Sequence, residues 1–279
     1  MKRRSFIKKA AILSSLAGAT GLYSWQIEPF WLEFVRLNMP IKNLPKHLNK
    51  KTLIHISDIH VGNRFDLNFL KSSLQKAQKF NPDFVVYTGD YVSYENSEQY
   101  KQLADVMQYT LKGKYGTFGI LGNHDYGVNW KEPQVANKIT SILSDAGIQI
   151  LRNEQEQANG INFIGIDELY GTNFQPEKIM PYVNHKKANI TLCHNPDVVD
   201  FNVWGNYKSW ILSGHTHGGQ CKAPFLTPPI LPVKNKTYVA GKYELKDGRT
   251  LYINRALGHL YQVRFNVRPE ITVFTLESC

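Results

Sequence analysis

Short, almost wholly apolar runs recur along the chain, and in its first half amphipathic stretches separate them. Residues 52–57, 83–88 and 117–121 read as strands buried on both faces. Between them, residues 66–80 place Leu67, Leu70, Leu74 and Ala77 at helical spacing behind an N-capping Asp66. Residues 97–111 and 132–146 read as two further helices, and 148–151 as another strand. Beyond that point helix thins out: 160–166, 188–193, 209–212, 237–245, 250–254 and 270–276 all read as strands. An early β-α-β half and a later β-rich half predict an α/β fold, a four-layer α/β/β/α sandwich of two mixed sheets.

The pattern differs upstream. Residues 10–23 form a modest apolar run after Lys2-Arg3-Arg4-Ser5-Phe6-Ile7-Lys8-Lys9, and the run is short for a membrane-crossing helix. The arginine pair and its neighbours resemble a twin-arginine export signal, with Ala17-Gly18-Ala19 as a small-residue cleavage site; the other reading is an uncleaved basic anchor. Pro29 suits a helix's first turn, and Ile27, Phe30, Trp31 and Phe34 share one helical face. The segment would be a helix lying in a lipid headgroup region, or a helix or extended segment packed on the body of the domain. The expected division is a signal or anchor over 1–24, an amphipathic and basic linker over 25–51, and one catalytic domain over 52–279.

Charge sharpens this division. Residues 1–51 hold ten Lys/Arg against two Asp/Glu, whereas the remaining 228 residues hold 23 against 21. A near-neutral body argues against a nucleic-acid groove, and a basic stretch beside an apolar one points to an anionic membrane surface. Cys193, Cys221 and Cys279 form no C-x-x-C pair and are expected as free thiols.

The candidate chemistry sits where strands end. Asp58-Ile59-His60, Gly89-Asp90, Gly122-Asn123-His124-Asp125, His194-Asn195-Pro196 and Gly214-His215-Thr216-His217 each follow a strand-like run. Strand ends in α/β sheets converge on one crevice. Oxygen and imidazole donors without thiolates suit Mn²⁺, Fe or Zn²⁺, and there are enough for two ions. Two such ions about 3.5–4 Å apart can hold a nucleophilic hydroxide and bind phosphate oxygens, so no Ser or Cys nucleophile is required. His47, His55, His185 and His259 are expected at the surface or in packing, with His55 sharing the strand of Asp58. The apolar loop Phe225-Leu226-Thr227-Pro228-Pro229-Ile230-Leu231-Pro232 would either grip an acyl chain or bilayer, or pack on a sheet edge.

These five motifs together resemble the calcineurin-like metallophosphoesterase family over roughly residues 52–279, with Arg264 and Arg268-Pro269-Glu270-Ile271 similar to its closing segment. Glu28-Pro29-x-Trp31 and the arginine pair resemble a membrane-associated bacterial branch. That branch includes an exported phosphoesterase and a UDP-2,3-diacylglucosamine pyrophosphatase of lipid A synthesis. The resemblance implies that Asp58, His60 and His217 bind one metal, that Asn123, His194 and His215 bind the other, and that Asp90 bridges them. It implies that His124 contacts the scissile phosphate or protonates the leaving oxygen, and that Asp125 holds the His124 ring. The expected activity is hydrolysis of a phosphodiester or phosphomonoester at or near the membrane. Twin-arginine export would place it on the outer face; peripheral attachment on the cytoplasmic face would instead suit the pyrophosphatase. A non-catalytic scaffold is the rival reading, and the complete motif set argues against it.

Overall fold

The computed structural model describes residues 3–279; Met1 and Lys2, which open the expected signal, lie outside the described residues. Two six-stranded mixed sheets pack face to face. The first has the order β1 (Glu33–Ile41), β12 (Glu270–Ser278), β2 (Thr52–Ile56), β3 (Phe84–Thr88), β4 (Thr117–Ile120), β5 (Gln149–Ile150). The second has the order β10 (Gly241–Glu244), β11 (Thr250–Ile253), β9 (Trp210–Ser213), β8 (Ala188–Leu192), β7 (Ile161–Gly165), β6 (Glu154–Ala158). β2, β3, β4 and β5 run parallel, as do β7, β8, β9 and β11, so in each sheet one set of four strand ends points the same way.

The apolar runs explain this arrangement. Every residue of β3, β4, β7, β8 and β9 is buried, because each strand is covered on both faces. Between the sheets lie Leu53, Phe84, Val86, Phe118, Phe163, Ile190, Leu212, Tyr252 and Phe274, with Phe118 and Phe163 stacked at 4.4 Å across the gap. α2 (Leu67–Gln78), α3 (Glu98–Met107) and α4 (Pro133–Asp145) cover the outer face of the first sheet. Asp66 caps α2 by accepting from the Asn68 amide at 2.7 Å. Over the second sheet, the described cover is made of short 3₁₀ turns such as Pro176–Lys178 and Pro196–Asp200.

The expected linker is part of the sheet. Residues 33–41 form β1, pairing in parallel with β12 from Glu33↔Glu270 to Ile41↔Ser278. No helix starts at Pro29: a π turn (Tyr23–Ile27) and a 3₁₀ turn (Glu28–Phe30) lead directly into β1. Tertiary contacts override the helical spacing, with Phe30 against Phe65 and Phe69, and Phe34 against Phe80. Met39 and Ile41 are fully buried, each stabilising by roughly 1.5–3 kcal/mol. Glu28 is buried too, and its carboxylate accepts from the Val267 amide at 2.6 Å.

α1 (Arg3–Leu22) stands apart, with every residue exposed. No described helix is long and apolar enough to cross a membrane.

Candidate dinuclear metal centre

The strand ends meet at one place. Asp58, His60 and His217 bring ligand atoms within 4.8 Å of one another, as do Asp90, His194 and His215, and all six residues are buried. Asp90 Oδ2 reaches both groups, at 3.6 Å from His60 Nε2 and 3.3 Å from His194 Nε2. Asn123 lies at the same cavity, its buried Oδ1 without a partner.

The backbone is bent to achieve this. Asp58, His60, Asp90, His215 and His217 all adopt positive φ, between 50° and 70°. Each such residue costs of order 1–3 kcal/mol and persists only where the surroundings impose it. Close approach also requires glycine: a Cβ on Gly214 would sit 1.8 Å from Ser57 Oγ and 2.1 Å from Asp58 Oδ2, and one on Gly122 would meet Asp90 Oδ1 at 2.3 Å.

The rings are oriented by what their far nitrogens touch. His194 Nδ1 donates to the Thr88 carbonyl at 2.6 Å, and His215 Nε2 donates to the Pro232 carbonyl at 2.8 Å. The other nitrogens, His194 Nε2 and His215 Nδ1, then face each other across 3.2 Å with no hydrogen of their own when both rings are neutral. Two lone pairs so placed need a cation or a proton beside them. His60 Nδ1 contacts Ser93 Oγ at 3.1 Å, leaving Nε2 to face His217 Nε2 at 3.0 Å. This donor chemistry fits divalent metal ions.

Electrostatics point the same way. Burial holds His60 well below the usual imidazole range and His215 at about 4, so both rings present lone pairs at neutral pH. Burial alone would raise the Asp58 and Asp90 carboxyls, but His217 beside Asp58 and His194 beside Asp90 outweigh it, and both stay low. For His194 the order reverses: burial lowers it, yet the Asp90 carboxylate brings it well above the usual range.

Asp125 departs from expectation. Its Oδ1 accepts from the Tyr91 and Val92 amides at 2.9 and 3.2 Å, and its Oδ2 from the Gly122 amide at 2.8 Å. Its described hydrogen bonds go to these amides and none to the His124 ring, so Asp125 ties together the loops after β3 and β4. His124 lines the cavity; its amide donates to Asp90 Oδ1 at 2.8 Å, and its ring lies 5.2 Å from that of His60.

Several contributors escape a reading of motifs. His55 is fully buried and starts a directional chain: its Nε2 donates to Thr88 Oγ1 (2.8 Å), Thr88 to Ser57 Oγ (2.7 Å), and Ser57 to Asp58 Oδ2 (2.5 Å). No local motif marks it, because the chain crosses from β2 to the end of β3 and back. Trp130, at φ 59°, sets its ring 5.7 Å from His124 and stacks on Tyr170. Glu168 is wholly buried, with Oε2 unpartnered, and burial lifts its carboxyl to about 7. His47 and His185 are exposed, while His259 is buried against Phe65 at 3.8 Å. Cys193 is buried, and all three cysteines are free thiols.

Above the ligands opens a cavity of about 510 Å³. Pro229, Ile230 and Pro232 line it on one side and Leu260, Tyr261 and Val263 on another, so its outer walls are apolar.

The model of the calcineurin-like phosphoesterase family matches residues 51–219. The chain is 31% identical over 293 aligned positions to the uncharacterised metallophosphoesterase YkuE of Bacillus subtilis, covering 100% of this chain and 98% of that protein. It is 28% identical to the phosphodiesterase YaeI of Escherichia coli, over 99% of each chain. It is 27% identical to the UDP-2,3-diacylglucosamine pyrophosphatase LpxG of Chlamydia trachomatis, over 94% of this chain and 95% of that one.

Proposed function

The chain belongs to the calcineurin-like phosphoesterase family and is a hydrolase of phosphate esters; from that premise we propose that it cleaves a phosphodiester or phosphomonoester with an apolar portion, at a membrane surface. The observation that carries the reading is one carboxylate, Asp90, within reach of ligand nitrogens from two buried ligand clusters. In this reading Asp58, His60 and His217 hold one divalent ion, Asn123, His194 and His215 the other, and Asp90 serves both. Bound there, the ions would supply Lewis-acid charge to the phosphoryl oxygens and lower the pKa of a water. His124, fixed through its amide to Asp90, would donate to a phosphoryl or leaving-group oxygen. The apolar outer cavity would exclude water and seat the rest of the substrate.

Manganese, added to purified protein, is expected to support hydrolysis of an aryl phosphodiester or monoester. Asp90→Ala should lower turnover on the order of 10³-fold or more. Undiminished turnover in that variant, or in excess chelator, would sink the mechanism.

A second reading is favoured by the apolar cavity wall and by the likeness to the chlamydial pyrophosphatase: hydrolysis of UDP-2,3-diacylglucosamine on the cytoplasmic face. Location decides between them. Arg3-Arg4 at the start of the exposed α1 supports twin-arginine export, with residues 1–24 as signal or anchor and the catalytic domain extended to include β1. Arg3→Lys with Arg4→Lys should strand the protein on the cytoplasmic side in fractionation; an unaltered location would leave the anchor and the second reading. Running UDP-2,3-diacylglucosamine beside the aryl esters tests the substrate directly.

A further inference from the structure

Three stretches meet around the mouth of the cavity. Pro229, Ile230 and Pro232 of the loop 223–232 form one lip, and the same loop carries Phe225 and Leu226 outside the cavity lining; Phe225 is 105%, Leu226 63% and Ile230 77% exposed. Residues 260–263 form the other, with Tyr261 66% exposed. The base of the N-terminal helix is attached to this second lip: Gln262 Nε2 donates to the Trp25 carbonyl at 3.0 Å, and the Arg264 amide donates to the Ser24 carbonyl at 2.8 Å. Trp25, Ile27 and Trp31 are each about half exposed. Gln220 bonds the Tyr261 and Val263 carbonyls at 2.8 Å, so the lips are one continuous structure around the site.

The charge on these stretches is one-sided. The chain has 23 Asp and Glu, yet residues 3–27, 219–236 and 259–268 contain none. They carry Arg3, Arg4, Lys8, Lys9, Lys222, Lys234, Lys236, Arg264 and Arg268, and all but Arg264 lie outside the buried interior. Arg268 sits 3.6 Å over the Trp31 ring; Arg64, 5.5 Å over that of Tyr261, lies outside these stretches and is paired with Glu95 at 2.9 Å. Large apolar tips, indole and phenol rings, and cations without carboxylates are what an anionic lipid interface selects. A protein partner would meet mixed charge more readily.

The geometry points to the rim of the cavity as a docking surface for an anionic phospholipid bilayer, so that the metal centre opens onto the membrane and not onto bulk water. This rests on the membrane reading above and adds which face docks. Phe225 and Leu226 enter the headgroup region beside Tyr261 and Trp25, and a substrate reaches the centre from the lipid side, along the apolar walls.

The test is flotation of the full chain with vesicles of phosphatidylglycerol and phosphatidylcholine, and with pure phosphatidylcholine. Wild type should bind the anionic vesicles, more weakly in high salt, and should bind pure phosphatidylcholine poorly. Phe225→Asp with Leu226→Asp should weaken binding at least about tenfold and leave hydrolysis of a soluble aryl phosphodiester unchanged. Phe225→Ser with Leu226→Ser should show a smaller loss in the same direction, which separates docking from any folding defect of the acidic pair. If wild type ignores both vesicles, the membrane reading falls and the rim with it. If wild type and both variants bind alike, α1 anchors alone and the rim is overturned, although the membrane reading survives. A wild-type dimer in sedimentation that the acidic pair dissociates, with vesicle binding unmoved, would make a second copy of the chain the occupant.

Discussion

The two ligand clusters are held in unequal ways. In the Asp90 cluster both imidazoles are tied to backbone carbonyls, His194 to Thr88 and His215 to Pro232, so their free nitrogens point inward before any ion arrives. In the Asp58 cluster it is the carboxylate that is fixed. Asp58 Oδ2 accepts from Ser57, the His215 amide is shared between Oδ2 and Oδ1 at 3.0 and 3.1 Å, and Oδ1 also faces His217 at 3.3 Å. His217 itself has an unpartnered Nδ1. Asp90 is fixed as well, by the His124 amide, so the difference lies in the rings: both imidazoles of the Asp90 cluster are held by backbone carbonyls, whereas in the Asp58 cluster only His60 is held, by the Ser93 hydroxyl, and the ion must supply more of the order there. Backbone and hydroxyl partners of this kind typically carry 10–100-fold of metal affinity.

The largest blow to this contrast is Gly214→Ala. Its Cβ would land on Ser57 Oγ and Asp58 Oδ2, where short side chains in a packed strand end cannot retreat. We expect loss of metal at the Asp58 cluster and at least ~2 kcal/mol of stability, measured by metal titration and thermal melting; a variant that binds two ions normally would show the packing to be slack. Ser57→Ala comes next. It removes the hydrogen bond to Asp58 without adding volume, so one of two metal dissociation constants should rise roughly 10–100-fold while the other stays put. Equal weakening of both would erase the distinction between clusters. The smallest expected effect concerns Glu168, whose carboxyl is lifted to about 7 by burial. A raised folded-state value means that the proton favours folding. Its contribution is complete below the unfolded value near 4.5 and is lost as pH rises toward 7. In metal-free protein Glu168→Gln should therefore gain on the order of 2 kcal/mol over wild type at pH 8 and nothing at pH 4. A pH-independent difference between the two would refute that account.

Much of the fold was legible because parallel strands covered on both faces must be apolar, and helices covering one face must be amphipathic. Strands β2, β3, β4, β8 and β9 announced themselves in this way, and the polar residues ending them marked the centre. The edges did not. β6 is Glu154-Gln155-Glu156-Gln157-Ala158, polar enough to pass for a loop, and it exists because β7 offers it an antiparallel edge. β1 is made by a partner more than 200 positions away, while its own aromatic spacing suggested a helix. Asp125 misled for a related reason. The family resemblance set it on the His124 ring, but three backbone amides take its oxygens. The chain from His55 to Asp58 crosses two strands, and nothing local to either strand reveals it.

The bond from His215 to the Pro232 carbonyl has a consequence of its own. Pro232 belongs to the loop that forms one lip of the cavity, so a single hydrogen bond joins an exposed loop to a buried ring of the metal centre. Whatever displaces the loop taxes the ring's alignment, and by reciprocity whatever fixes the ring steadies the loop. If the proposed docking holds, surface capture and metal retention become two readings of one equilibrium, and the enzyme would hold its ions most firmly where its lip is seated.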